Sequence, residues 1–309
     1  MAAPIEVPEA VRRKAVALGL EGERWIDALG DSVAQVEDRW GIAVGARLLG
    51  GSAAYVVSVT TAEGLPAVLK LAMPDGLEGN GEFSRELESV RFGQGHGYVG
   101  LLQFDADRRA MLLECLGRPI GEVGLPIEAQ IDAIAATVSL GWHRPLSTAG
   151  WRTGAEQADF LEHFIGDAWD RLDGPCPEAV VRLAQECTRR RRAVFDEETA
   201  VAIHGDAHPS NVLESPTGGF KLIDPDGMLS EPAHDLAIPL RQWNDALLAG
   251  DPAARLRSWC ARLEEITGVD AQAIWEWTYA ERVSTGLFLL RLGDPQGTQF
   301  IDVALRLAA

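Results

Sequence analysis

The 309-residue chain is short of several features that would settle its class at a glance. No apolar run reaches the roughly 20 residues that a membrane-spanning helix requires. The opening residues, MAAPIEVPEAVRRK, contain no apolar core followed by a small-residue cleavage site. The expectation is a soluble protein that stays in the cytoplasm and has no membrane partner. Four cysteines stand singly, with no C-x-x-C pair, which argues against a disulfide framework or a zinc site and leaves buried thiols. Basic charge is scarce: 28 Lys and Arg against 46 Asp and Glu give a net charge of −18. Such a surface repels nucleic acid and attracts small cations. The one basic run, TRRRR at 188–192, lies in a helical pattern and reads as a solvated face. No G-x-x-x-x-G-K-[ST] occurs, so the P-loop route to phosphoryl transfer is closed.

What is present divides into two textures, and the length suits two lobes. Residues 8–40 are helical, with Ile26, Leu29, Val33, Val36 and Trp40 recurring at steps of three and four. From 42 to 72 short β-branched runs alternate with glycine, predicting three antiparallel strands with turns at Gly50-Gly51-Ser52 and Glu63-Gly64. GEFSRELESVRFG predicts a short helix, and YVGLLQFD and AMLLECLG two more strands. Beyond Gly117 helices dominate, at 126–143, 156–172, 177–195, 234–248, 252–265, 271–291 and 295–308. A hairpin, NVLES with GFKLID, interrupts them. The expected class is α+β. Residues 1–113 form a lobe with a leading helix and a five-stranded antiparallel sheet carrying one helix, 114–118 a hinge, and 119–309 a mainly helical lobe.

The stretch IHGDAHPSNVLESPTGGFKLIDPDG, 203–227, crowds two His, three Asp and an Asn beside short apolar strands. A hairpin brings its ends together, so Asn211 and Asp224 are expected to project into one small volume. Both offer hard oxygen ligands suited to Mg²⁺, which is commonly held by one or two protein oxygens plus substrate phosphates. Asp206 precedes the hairpin on a loop, where it could take the proton of an attacking hydroxyl. This division of labour is that of a kinase. A zinc cage is excluded, because Gly205 and Pro209 break the helix that His204 and His208 would need to share a face. Either histidine alone reads as a hydrogen-bonding loop-shaper. In the first lobe, AVLK ends a strand at Lys70, which shares a face with Val68 and not with Leu69 and Leu71. Glu86 of SRELESV is the carboxylate chosen to hold that lysine, and Gly50, Gly51 and Ser52 are a sparse glycine loop over phosphates.

Together these motifs resemble the aminoglycoside phosphotransferase family, which has a protein-kinase-like two-lobe fold. HGDAHPSN is similar to that family's H-G-D-x-H-x-x-N loop and IDPDG to its second metal motif. LIDPDGMLSEPAHDLAIPLRQW resembles the streptomycin 6-kinase and hydroxyurea kinase branch. The resemblance implies Asp206 as catalytic base, Asn211 and Asp224 on Mg²⁺, and Lys70, paired with Glu86, on the phosphates of ATP, with GTP as an alternative donor. It implies adenine contacts from the backbone at Glu114 and Leu116, and Asp235 bracing the catalytic loop. Ala207 stands where family members often carry a bulkier residue, and the glycine loop is sparse.

Substrate signals are thinner. EQADFLEHFIGDAWDRLD, 156–173, holds six acids against one Arg, and Asp159, Glu162 and, on a later helix, Glu276 are the candidates for contacting a cationic acceptor. The leading expectation is phosphorylation of a hydroxyl on a streptomycin-like aminoglycoside, conferring resistance. The alternatives are a kinase for hydroxyurea, a sugar or an amino alcohol, and a nucleotide-binding pseudokinase, the last disfavoured because Lys70, Asp206, Asn211 and Asp224 are all present.

Overall fold

A computed structural model describes residues 5–48, 51, 53–75, 81–145 and 150–308. Contacts divide the chain into two compact units, Met1–Gly117 and Arg118–Ala309.

The first unit begins with two helices, α1 (Glu9–Ala17) and α2 (Leu20–Trp40). Where one leading helix was expected, the chain breaks at Leu18-Gly19 and doubles back. Gly22 allows the two helices to touch, since a Cβ there would lie 1.9 Å from the Ala15 carbonyl oxygen. Five strands follow: β1 (Ala43–Arg47), β2 (Ala54–Thr60), β3 (Pro66–Ala72), β4 (Leu101–Asp105) and β5 (Ala110–Glu114). Helix α3 (Glu82–Gly93) lies between β3 and β4 in sequence. The sheet is antiparallel with order β1-β2-β3-β5-β4. Leu29, Val33 and Val36 of α2 pack on Tyr55, Val57, Leu69, Leu71 and Leu112 from one sheet face. Each such burial is worth about 1.5–3 kcal/mol before entropy is counted. Ile26 of the same predicted stripe turns instead to Val11 and Ala15 of α1. With Leu69 and Leu71 committed to this core, alternation puts Lys70 on the other face.

The second unit is mostly helical. Its helices are α4 (Ile127–Ser139), α5 (Gly154–Arg171), α6 (Glu178–Val194), α7 (Pro232–Leu240), α8 (Asn244–Leu248), α9 (Pro252–Thr267), α10 (Ala271–Arg291) and α11 (Gln296–Ala308). Short strands β6 (Arg152–Thr153), β7 (Val201–Ile203) and β10 (Met228–Ser230) form a small sheet of order β6-β10-β7. Strands β8 (Val212–Glu214) and β9 (Phe220–Leu222) make the expected hairpin. The small sheet escapes sequence reading because strands of two or three residues carry no periodicity.

One expectation needs correction here. The single helix expected at 234–248 is two, α7 and α8, separated where Trp243 takes a left-handed conformation, φ 55°. Helix α10 is buried on nearly all sides from Ala273 to Leu287. That burial takes Glu276, Glu281 and Arg282 inside with it.

Candidate active site

Strand β7 delivers the chain to His204, Gly205 and Asp206. The carboxylate of Asp235, buried in α7, receives the backbone N–H of His204 at 3.0 Å and of Gly205 at 2.8 Å. The indole N–H of Trp142 donates to it as well, at 3.0 Å. The loop therefore hangs from α7 by its own backbone. Gly205 has φ 82°, and a Cβ there would lie 2.4 Å from the Met228 side chain, so this position requires glycine. His204 is fully buried; its Nδ1 accepts from the Asp206 backbone N–H at 3.1 Å while its Nε2 donates to the Ile223 carbonyl at 2.9 Å. This histidine ties the Asp206 loop to the end of β9. His208 accepts the Ser210 N–H on Nδ1 at 3.2 Å, capping the 3₁₀ turn Pro209–Asn211. Burial first, then the nearby Arg241 cation, lowers its pKa to about 4, so it is neutral at pH 7.

The hairpin carries Asn211 and Asp224 side by side. Val212 pairs with Leu222, and the Ile223 N–H donates to the Asn211 carbonyl at 3.0 Å, so Asp224 emerges next to Asn211. Asp224 itself sits at φ 56°, a left-handed conformation that Asp tolerates better than most residues. The Asn211 side-chain N–H donates to the Asp206 carbonyl at 3.0 Å. With its amide nitrogen so engaged, the ligand atom that the Asn211 side chain can offer is its oxygen.

Asp206 places Oδ1 2.6 Å from a guanidinium nitrogen of Arg241. Its Oδ2 is 3.4 Å from Asn211 Nδ2 and 3.5 Å from His208 Nε2. Burial raises the Asp206 pKa against the opposing pull of Arg241. Asp226, whose backbone N–H donates to the His204 carbonyl at 2.9 Å, is raised to about 6 by burial and by the neighbouring Asp206 charge. Crowded carboxylates beside an amide oxygen are a donor set for a hard divalent cation. Among the described residues no cluster of three or more His, Cys, Asp or Glu could hold a metal alone. The residues present thus fit an ion shared with substrate phosphates better than a closed protein cage.

In the first unit, Lys70 Nζ and Glu86 Oε1 lie 2.5 Å apart, both side chains nearly buried. Strand β3 and helix α3 bring them together, with Leu87 and Val90 on the packed side of α3. Gly51 is in a left-handed turn at φ 74°, and Gly50 and Ser52 lie outside the described residues. The Glu114 backbone N–H is spent on the Gly100 carbonyl at 2.8 Å, so an adenine contact from this residue would have to use its carbonyl. Leu116 follows β5, its carbonyl 3.9 Å from the Cys115 thiol.

The acids chosen for a cationic acceptor are otherwise engaged. Asp159 pairs with Arg192 at 2.8 Å and Glu162 with Arg189 at 3.2 Å. Glu276 is buried against Arg191, 2.7 Å away, and Arg190 at 3.2 Å. Glu156 closes a capping box with Thr153 at the start of α5. The basic run at 188–192 is thus the counter-charge of α5 and α10, not merely a solvated face, and Arg191 is largely buried in it. Arg241 and Asp226 are the site residues that sequence reasoning missed. Asp226 had a signal, as the second Asp of IDPDG, whereas Arg241 had none beyond its place after a predicted helical run.

Comparison with known proteins identifies relatives over most of the chain. Residues 165–293 match the family described as aminoglycoside/hydroxyurea antibiotic resistance kinase. A streptomycin 6-kinase of Streptomyces glaucescens is 30% identical over 304 residues, covering 94% of this chain and 92% of the relative. A hydroxyurea phosphotransferase of Kitasatospora aureofaciens is 29% identical over 298 residues, covering 94% and 82%. Among solved structures, a choline kinase from Streptococcus pneumoniae matches with TM-score 0.58 at 16% identity, covering 89% of this chain and 96% of that one, and the same kinase in complex with AMP also matches. The fold is therefore protein-kinase-like, with a small antiparallel-sheet N-lobe and a mostly helical C-lobe.

Proposed function

The chain belongs to the aminoglycoside/hydroxyurea antibiotic resistance kinases, phosphotransferases that act on a hydroxyl group, and on that premise we propose that it transfers the γ-phosphoryl group of ATP, with Mg²⁺, to a hydroxyl of a small molecule in the cytoplasm. The observation that carries this is the convergence of Asp206, Asn211 and Asp224 through one loop and one hairpin. Asp206 orients the acceptor hydroxyl and takes its proton on Oδ2 as the oxygen bonds to the γ-phosphorus; the bond from that phosphorus to the bridging oxygen of ADP breaks. Asn211 and Asp224 hold the Mg²⁺, which when bound neutralises phosphate charge. Lys70, kept in place by Glu86, grips the phosphates. Positioning and charge account for most of the rate.

Streptomycin-like aminoglycosides lead the acceptor list by kinship. The neutral acceptor, hydroxyurea, is the second reading. It is favoured by the internal pairing of Asp159, Glu162 and Glu276, which removes the anionic cradle that a polycation would want. The test is ADP release by the purified protein over streptomycin, hydroxyurea, sugars and amino alcohols, with a mass spectrum showing one added phosphoryl group. Asp206→Asn should lower kcat by about 10²–10⁴-fold while nucleotide still binds. Undiminished turnover in that variant would remove Asp206 from the role.

A further inference from the structure

The loop that joins α7 to α8, residues 241–243, is built at unusual cost. Trp243 is a bulky residue in the left-handed region, φ 55° and ψ 41°, a conformation that persists only where the surroundings impose it. The surroundings are visible. Arg282, fully buried in α10, donates to the Leu240 carbonyl at 2.8 Å on one side of the turn and to Asn244 Oδ1 on the other. The Trp243 ring meets Trp259 edge-on, at 5.9 Å between centroids. Between these anchors stands Arg241.

Its guanidinium is placed with the same care. One terminal nitrogen donates to Asp206 Oδ1 at 2.6 Å and the other to Glu281 Oε2 at 3.1 Å. The second Glu281 oxygen lies 3.1 Å from His234 Nε2, and the His234 ring stacks on Trp277, centroids 4.0 Å apart and planes within 10°. Adjacent residues of α10 therefore do complementary work: Glu281 orients the guanidinium and Arg282 holds the backbone beneath it. Burial and the nearby Arg241 cation both disfavour the charge on Arg282.

We propose that Arg241 is the positioning residue of the phosphotransfer site, fixing the Asp206 carboxylate through Oδ1 so that Oδ2 faces the acceptor hydroxyl. The inference rests on Asp206 being the base. Among the described residues Oδ2 has only long contacts, 3.4 Å to Asn211 and 3.5 Å to His208, so without Arg241 the carboxylate can rotate. A misplacement on the order of 1 Å costs roughly 10²-fold in rate. Lysine cannot substitute, because bridging two carboxylates needs the planar fork of a guanidinium.

The test uses the full chain and MgATP, reading ADP release with streptomycin, with hydroxyurea and with water alone as acceptor. Arg241→Gln should lower kcat by about 100-fold and leave the KM for ATP within about twofold. Arg241→Lys should recover little, whereas methylguanidinium added to Arg241→Ala should restore part of kcat, a rescue that a purely structural role would not show. Glu281→Gln should cost about tenfold, and the double variant Arg241→Gln/Glu281→Gln should be no slower than Arg241→Gln alone, because the two act as one unit. A wild-type kcat in Arg241→Gln, or multiplicative losses in the double variant, overturns the proposal. If Arg241→Gln fails to fold, an unchanged kcat in Glu281→Gln overturns it instead. Asp206→Asn separates the two readings: full turnover there removes Asp206 from the role of base and this proposal with it, while a dead Asp206→Asn beside an active Arg241→Gln sinks this one alone.

Discussion

In the first unit the buried cation Lys70 meets Glu86 at a distance of sixteen residues in sequence, from a strand to the helix that follows it. In the second, Arg241 reaches 35 residues back to Asp206 and 40 forward to Glu281. The first pair can form as soon as two consecutive elements pack. The second exists only when α7, α10 and the catalytic loop are all in place. A local pair reports on the packing of its own two elements, and a distributed one on the folding of the whole unit.

The largest effect should come from breaking the local pair on one side. Lys70→Met leaves the Glu86 carboxylate buried beside an apolar side chain and should cost about 3 kcal/mol of stability. Lys70→Met/Glu86→Leu should regain most of that while remaining inactive. Thermal melts alongside ADP release decide it, and a double variant as unstable as the single would mean that the pair does not act alone. In the second unit Arg282→Met leaves the Leu240 carbonyl and Asn244 Oδ1 without their donor and should cost about 2 kcal/mol. Because it loosens the turn that presents Arg241, kcat should fall with it even at temperatures well below the melt. A lowered melting point with unchanged kcat would show that the turn tolerates slack.

The same contrast explains what could be read from the residues. Asp206, Asn211 and Asp224 were legible because they sit within one loop and one hairpin, whose geometry follows from turn chemistry. Lys70 and Glu86 were legible because alternation along β3 leaves Lys70 off the core face, and the next helix is the nearest source of a carboxylate. Arg241 was hidden because its partners are tertiary, and because the helical pattern of 234–248 runs straight through the break that displays it. Glu281 and Arg282 were hidden for a related reason: charged residues in a helix read as its wet face until a central helix buries them. The ion pairing of the α5 acids was not legible, since their counter-charges lie on α6 and cannot be matched to them by spacing.

Asp105 offers a smaller and pH-resolved test. Burial pushes its pKa up, but the Arg108 backbone N–H and the guanidiniums of Arg108 and Arg39 outweigh that and leave it lowered. A carboxylate with a depressed folded pKa stabilises above its unfolded value, near 4, and loses that contribution as pH falls through the folded value. Asp105→Asn should therefore lower stability at pH 7 by up to about 1 kcal/mol, the guanidiniums being partly solvated. The gap between wild type and variant should narrow progressively as pH falls below about 4. A constant gap between the two melting curves across this range would assign the effect to packing and not to charge.

The smallest expected effect is the one that bears on the acceptor. Asp159 and Glu162 face Arg192 and Arg189 across the α5–α6 seam, with the arginines about half exposed. Exposed pairs of this kind contribute about 0.2–1 kcal/mol, so Asp159→Ala and Glu162→Ala should each move the melting point by no more than a few degrees. Their effect on a cationic acceptor should be smaller still. A carboxylate already neutralised by its own arginine presents little net field to a ligand, and its removal uncovers a guanidinium that would repel one. The KM for streptomycin should thus stay within about twofold in either variant. A rise of tenfold or more in either would return these acids to the acceptor pocket and, with them, the polycationic substrate that their pairing argues against.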